Sequence, residues 1–131
     1  MAIVGIGLDL CDPQRVARVL ARRGAAFVQR VLGPAERDEY ARRSAASPQR
    51  GAHYVATRFA AKEALGKALG SGVAGLVAWH DCECLNGPSG APQWHCHGEL
   101  ARHIAQRGLR LHVSLSDERS LVAAMVVVEG G

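Results

Sequence analysis

The chain has 131 residues, of which 48% are hydrophobic and 21% charged, and carries a net charge of +4. That is a length for one domain with enough apolar content for a real core, and no apolar run is long enough to span a bilayer. Aromatic residues make up only 5%, so the core must be aliphatic and rich in alanine. The N-terminus, Met1 to Gly5, lacks the basic region and cleavage site of a signal peptide. Cys11, Cys82, Cys84 and Cys96 have no disulfide-framework spacing. Both features predict a reducing, cytoplasmic location.

Ile3 to Leu10 alternates as a first strand, with Val4, Ile6, Leu8 and Leu10 on one face and Ile3, Gly5, Gly7 and Asp9 on the other. The second face is cleared of side chains by two glycines and ends in a carboxylate. Asp12-Pro13 is a cap followed by a first-turn proline, which predicts a helix over roughly 13–30. Val16, Val19 and Leu20 form its apolar stripe, and Arg15, Arg18 and Arg22 line an adjacent one. Gly33-Pro34 breaks it. Pro34 to Arg43 predicts a short helix with Glu36, Arg37 and Asp38 exposed, and Ser44 to Gly51 a surface loop. A long helix follows from about Ala52 to Leu69, ended by Gly70-Ser71-Gly72.

Ala78 to Leu85 reads as a strand, Asn86 to Gly90 as a tight turn, and Pro92 to His97 as the hairpin partner. On that strand Cys82 and Cys84 share one face as small hydrophobes. With His95, Cys96 and His97 they are a weak zinc candidate, because one intervening residue is shorter than the usual ligand loop. Glu99 to Arg107 predicts a helix closed by Gly108. Leu109 to Ser116 alternates again, with Leu109, Leu111, Val113 and Leu115 inward. Leu121 to Val128 is an almost wholly apolar last strand, followed by a glycine tail. The order predicts a single-domain α+β fold with an antiparallel sheet.

Charge is segregated along the chain. Residues 12–50 hold nine arginines against four acids, whereas the remainder holds seven basic and eight acidic residues. The whole positive excess therefore lies in one third of the sequence, whose field should attract an acidic partner. Nucleic acid, an anionic membrane and an acidic protein all meet that description. The basic segment has little aromatic interleaving for base stacking and no recognition motif, which argues against nucleic acid.

Arg58 to Gly70 (RFAAKEALGKALG) is the most informative segment. At about 100° per residue, Lys62, Glu63, Gly66 and Lys67 share one side of a helix and the alanines and leucines take the other. Gly66 inside a helix costs about 1 kcal/mol relative to Ala, so space on the polar arc has a use. Taken alone, the arc is first a solvated face with a Glu63–Lys67 pair. Asp9 at a strand end, Glu63 on this arc and His112 on the polar face of a late strand add to it. Two carboxylates from separate elements suit Mg²⁺, which fills its other positions with water and phosphate oxygens. Arg58, Lys62, Lys67 and His112 are donors of the type phosphates need.

Gly5-Ile6-Gly7-Leu8-Asp9, Arg58-Phe59-Ala60-Ala61-Lys62-Glu63-Ala64 with Lys67-Ala68-Leu69-Gly70, and His112-Val113-Ser114-Leu115-Ser116 occur in that order. Together they closely resemble the holo-[acyl-carrier-protein] synthases, the short bacterial class of 4′-phosphopantetheinyl transferases, over essentially the whole chain. The resemblance implies transfer of phosphopantetheine from coenzyme A to a serine of an apo acyl carrier protein, releasing adenosine 3′,5′-bisphosphate. It implies Mg²⁺ on Asp9 and Glu63, and coenzyme A phosphate contacts from Arg58, Lys67 and His112, with Lys62 less firmly placed. It also puts the Asn86-Gly87 turn near the adenine. Glu63, a metal-bound water or Lys67 would take the serine proton. Arg15, Arg18 and Arg22 would dock the acidic carrier protein, and the assembly would be a homotrimer with active sites between subunits. Neither nucleic acid nor a membrane is an expected partner. The other readings are an inactive relative that only binds carrier protein and a basic nucleic-acid-binding module. One residue departs from the pattern: Asp117 stands where the family usually has His, and the position is read as structural because His112 is retained.

Overall fold

The computed structural model describes residues 1–70 and 77–131. Its elements are β1 (Ala2–Cys11), α1 (Pro13–Val31), α2 (Pro34–Ala46), α3 (Pro48–Leu69), β2 (Cys82–Asn86), β3 (Pro92–Cys96), α4 (Gly98–Arg107), β4 (Arg110–Asp117) and β5 (Val122–Gly130). β1, β5 and β4 form an antiparallel sheet in that order, and β2 and β3 form a separate antiparallel hairpin. The predicted α+β architecture is present. Among the described residues no helix is long and apolar enough to cross a membrane.

α3 lies across the inner face of the sheet, and α1 and α2 pack on α3. The glycines of β1 are what let it approach. A Cβ at Gly7 would come within 1.9 Å of the Ala64 carbonyl oxygen, and one at Gly5 within 2.0 Å of that of Ala68. Ala60, Ala61 and Ala64 are fully buried in this contact, alongside Leu65, Val122, Val126 and Val128. A backbone-to-backbone approach of this kind accepts only small residues on both sides, which is why the core is alanine-rich.

Several boundaries differ from expectation. Ser44 to Gly51 is not a loop: α2 runs to Ala46 and α3 begins at Pro48, with Ser47 alone between them and its hydroxyl accepting from the Arg50 N–H. Polar composition suggested a loop, but Ser47-Pro48 is a helix cap and first-turn proline. Ala78 to Asp81 precede β2 in a turn rather than extending it. Gly130 belongs to β5 and is buried, so only Gly131 is a tail. α1 is kinked at Gly24, whose φ of +40° a side chain would resist. Gly70 ends α3 in the left-handed conformation; Ser71 and Gly72 lie outside the described residues.

The largest correction concerns charge. Glu36, expected on the surface, is fully buried and paired with the equally buried Lys62 at 2.6 Å. Lys62 Nζ also donates to the carbonyls of Val31 and Trp79. Glu36 accepts from the backbone N–H of Gly33 and Cys84. Glu83 caps the start of α2, accepting from the N–H of Ala35 and Glu36, and bonds His97. These carboxylates fasten the hairpin and both long helices together. Lys62 therefore does not belong to the polar arc of α3.

The outer face of the sheet is bare. Ile6, Val127 and His112 form one row across it, and Leu8, Met125 and Ser114 the next. Val4, Ile6, Leu8 and Leu10 are 56–60% exposed. The apolar face of β1 therefore points away from the core.

Candidate active site

Asp9 is an inward position near the end of β1, two residues before the buried Cys11, after which the chain turns into α1. There the Asp12 side chain accepts from the Gln14 N–H and starts the helix. Glu63 sits on α3 immediately before Ala64, the residue packed on Gly7. The same close approach of strand and helix thus sets both carboxylates on one cleft. Its other lining residues are Leu10, Cys11, Arg15, Val16, Val19, Phe27 and Phe59, around a volume of about 370 Å³. Phe59 stacks on Trp79 at 5.4 Å and meets Phe27 at 6.2 Å, giving the cleft an aromatic wall.

The electrostatics of this cleft are those of crowded anions. Burial, and then the Asp9 charge, push the Glu63 carboxyl above its ordinary value, and Lys67 opposes them in part. The Cys11 thiol is raised for the same two reasons. Lys67 Nζ donates to Asp9 Oδ1 at 3.1 Å and to the Leu8 carbonyl at 2.9 Å, and remains half exposed. The expected Glu63–Lys67 pair along the helix is absent among the described residues. Lys67 reaches across to the strand instead.

The remaining candidates fall into separate places. Arg58 is buried against β2: Nε donates to the Cys84 carbonyl, NH1 to Thr57 Oγ1 and NH2 to Asn86 Oδ1. Its guanidinium lies 4.3 Å from the centre of the Tyr54 ring. Arg58 and Asn86 also line a cavity of about 540 Å³ with Arg42 and Arg43. Gly87 follows in the turn, against the Gln93 side chain. Arg15, Arg18 and Arg22 are exposed on α1, and Arg15 alone of the three also lines the cleft. His112 is on the outer face of the sheet, bonded to Glu129 at 2.6 Å. The sheet separates it from Asp9 and Glu63 of its own chain.

Cys82 and Cys84 are fully buried on one face of β2, as expected of small hydrophobes, and burial raises both thiols, to about 12 and about 11. The Glu36–Lys62 pair went unforeseen. One sign of it is legible: Gly33 and Glu36 have the spacing of a helix cap and its third-residue partner. For Glu83, a lone charge between two buried cysteines is the corresponding sign.

Residues 5–126 match the family model of the 4′-phosphopantetheinyl transferase superfamily. The chain belongs to this superfamily. Its relatives include a holo-[acyl-carrier-protein] synthase of Leptothrix cholodnii, 51% identical over 97% of this chain and 96% of its own. A synthase of Methylibium petroleiphilum is 46% identical over 97% and 96%. Among solved structures, the holo-[acyl-carrier-protein] synthase of Neisseria meningitidis matches with a TM-score of 0.87 at 36% identity, covering 97% of this chain and 98% of that one. The synthase of Bacillus anthracis, in complex with CoA (3′,5′-ADP), matches with a TM-score of 0.81 at 31% identity and 100% of each chain. The superfamily's fold thus spans the sheet, α3 and the cleft between them.

Proposed function

We propose that this chain transfers the 4′-phosphopantetheine group of coenzyme A to a serine of an apo acyl carrier protein, releasing adenosine 3′,5′-bisphosphate. The observation that carries the reading is the pairing of Asp9 with Glu63 in one cleft, with Arg15 of the basic helix at its rim. The reaction joins serine Oγ to the phosphorus that bears pantetheine and breaks that phosphorus's bond to the oxygen of adenosine bisphosphate. It is a phosphoryl transfer, so positioning and charge stabilisation do most of the catalysis.

The donor set of the cleft fits a divalent cation. Two carboxylates close enough to raise one of them are relieved by a hard positive charge. Asp9 and Glu63 would hold Mg²⁺, which when bound supplies charge neutralisation at the pyrophosphate. Lys67 fixes Asp9 and keeps its third N–H for a phosphate oxygen. With Lys67 engaged as a donor to Asp9 and the Leu8 carbonyl, we assign the serine proton to Glu63, directly or through a water. Arg58 first braces the Asn86 turn, and two of its five N–H donors remain for a phosphate.

The arginines of α1 suit the acidic surface of a carrier protein, and Arg15 connects that docking face to the cleft. The bare outer face of the sheet supports a homotrimer, in which a neighbour's His112 can reach a cleft that the chain's own His112 cannot. The four free cysteines suit a reducing cytoplasm.

Mass spectrometry of apo carrier protein incubated with coenzyme A, Mg²⁺ and this protein tests the reading. The expected result is a gain of the phosphopantetheine mass, abolished by chelation and by Asp9→Ala or Glu63→Ala. Full transfer by either folded variant would overturn the metal assignment. No gain with any carrier would overturn the function, leaving carrier binding without modification or salt-sensitive nucleic-acid binding to distinguish the other readings.

A further inference from the structure

The β2–β3 hairpin places two thiols directly opposite each other, Cys82 pairing with Cys96 in its register. The hydrogen bonds decide which kind of pair this is. The His97 N–H donates to the Asp81 carbonyl and the Gly87 N–H to the Ala91 carbonyl, both at 2.8 Å. Bonded and non-bonded pairs alternate along an antiparallel ladder, so Cys82 and Cys96 form a non-hydrogen-bonded pair. In such a pair the Cα atoms approach to about 4.5 Å and both side chains leave the same face. A disulfide spans Cα separations of about 4.4–6.8 Å, so the backbone already has the spacing of a bridge. Both thiols are free.

The pairing is selective among the four cysteines. Cys84 faces Trp94, and its diagonal to Cys96 is about 7–8 Å, too long to bridge without backbone movement. Cys11 lies on β1, in the cleft. Cys82 is fully buried with its Sγ 3.5 Å from the Ala78 carbonyl, whereas Cys96 packs on the core and is partly exposed. An oxidant therefore meets Cys96 first and reaches Cys82 only through it. Burial, and then Asp81, hold the Cys96 thiol at about 11. Burial holds Cys82 at about 12, with Lys62 opposing the rise and Cys96, Glu36 and Asp81 adding to it. Both thiols stay protonated at neutral pH, so the pair reacts slowly.

We propose that Cys82 and Cys96 are a site of reversible oxidation by hydroperoxides, closing to a cross-strand disulfide that locks the hairpin. The Cys96 thiolate attacks a peroxide oxygen. An S–O bond forms, the O–O bond breaks and the departing oxygen takes up a proton, leaving a sulfenic acid on Cys96. The sulfur is oxidised and the peroxide reduced by two electrons. Cys82 Sγ then attacks Cys96 Sγ. The S–S bond forms, the S–O bond breaks, and the second oxygen leaves as water with the Cys82 proton. A dithiol reverses the closure by exchange. The bridge ties the open end of the hairpin, where the chain arrives from Trp79, whose carbonyl accepts from Lys62. Beyond it the same hairpin carries Glu83, which caps α2, and Asn86, which accepts from Arg58. Both α2 and α3 thus rest on the piece that the bridge locks. The site is independent of the proposed function.

Peptide mapping of the full-length protein tests the site. The folded protein is treated with hydrogen peroxide, its remaining thiols are alkylated, and cleavage after Glu83, Leu85 and Trp94 puts Cys82, Cys84 and Cys96 on separate peptides. The expected product is a Cys82–Cys96 link within one chain, two hydrogens lighter than its parts and released by dithiothreitol. Cys84→Ala should form it as the wild type does. Cys82→Ala should stop at a Cys96 sulfenic acid that dimedone traps. The rate should rise about tenfold per pH unit near neutrality, as the thiolate fraction does; a rate indifferent to pH would remove Cys96 as the attacking group. The oxidised wild type should melt several degrees above the reduced protein, because the closed ring restricts the unfolded chain. Cys96→Ala should show no such gain. A linked protein that melts lower than the reduced one would refute the lock. A link that forms only in urea, or that joins Cys84 or Cys11 as readily, would overturn the pair. So would a folded wild type whose Cys82 and Cys96 stay unlinked, however the variants behave.

Discussion

Glu63 is held at a cost that the proposed metal role would explain. Burial and the neighbouring Asp9 both disfavour its charge, and Lys67, which opposes them, is bonded to Asp9 rather than to Glu63. In the metal-free protein Glu63→Gln should therefore raise the melting temperature at neutral pH by a few degrees, the small size following from solvent screening. The sign follows from linkage. The folded-state pKa lies above the unfolded one, so below the ordinary carboxylate value of about 4.3 both states are protonated and the penalty is absent. It grows as pH rises through the folded-state value. Melting curves at neutral and acid pH should show the variant's gain only at the former, and added Mg²⁺ should stabilise the wild type alone. A variant that melts lower at neutral pH would show that the carboxylate stabilises the fold. At this scale the sequence was informative about residue type and poor about direction. Lys62, Glu63 and Lys67 share one arc on a helical wheel, yet Lys62 is drawn into the core by Glu36 and two carbonyls. A wheel has no knowledge of a partner 26 residues away.

The contact of β1 with α3 is the element on which the cleft depends, and it has almost no slack. Gly→Ala often stabilises a chain by about 0.4–1 kcal/mol through the unfolded state. At Gly7 the sign should reverse, because the new Cβ would overlap the Ala64 carbonyl and a whole helix would have to move. Overpacking costs about 1–3 kcal/mol or more, so Gly7→Ala should lower the urea midpoint markedly. It should also lower kcat, since α3 carries Glu63 away from Asp9 as it shifts. An unchanged midpoint would show that the sheet can yield. The basic face of α1 is more tolerant. Reversing Arg15 or Arg22 to Glu should raise the carrier-protein KM roughly fivefold each, for about 1 kcal/mol per exposed ion pair, and the effect should shrink at high salt. Arg15→Glu should also depress kcat, because Arg15 lines the cleft. An unchanged carrier KM for both would reject this docking face. The helices and strands themselves were legible, since Asp12-Pro13, Gly70 and Gly108 are strong local punctuation. The α2–α3 junction was not, because Ser47-Pro48 ends one helix and starts the next in a single residue, and polar flanks there look like a loop.

The whole molecule leaves one requirement unmet by a single chain. Met1, Ile3, Val4, Ile6, Leu8, Leu10, Leu121 and Met125 are each at least 43% exposed, and most share the outer face of the sheet. An apolar surface of that continuity marks an interaction site. His112 stands in the same row as Ile6 and Val127, on the side of the sheet opposite Asp9. The alternation of β1 was evident in the sequence, but alternation does not say which face is inward. Here the glycine face packs on the helix and the aliphatic face is left outside, the reverse of an ordinary half-buried strand. The two facts have one resolution if copies of the chain cover the face and deliver His112 to each other's clefts. Leu8→Glu tests this with little risk to the fold, because Leu8 is 56% exposed and opposes only Met125 within the chain. A carboxylate there costs little in a monomer and several kcal/mol in a dry interface. Sedimentation should report a trimeric wild type and a monomeric variant with unchanged far-ultraviolet circular dichroism. Transfer should fall with the trimer, although Asp9, Glu63 and Lys67 are untouched. A monomeric variant with full activity would show that the cleft is complete within one chain and that His112 has no part in it.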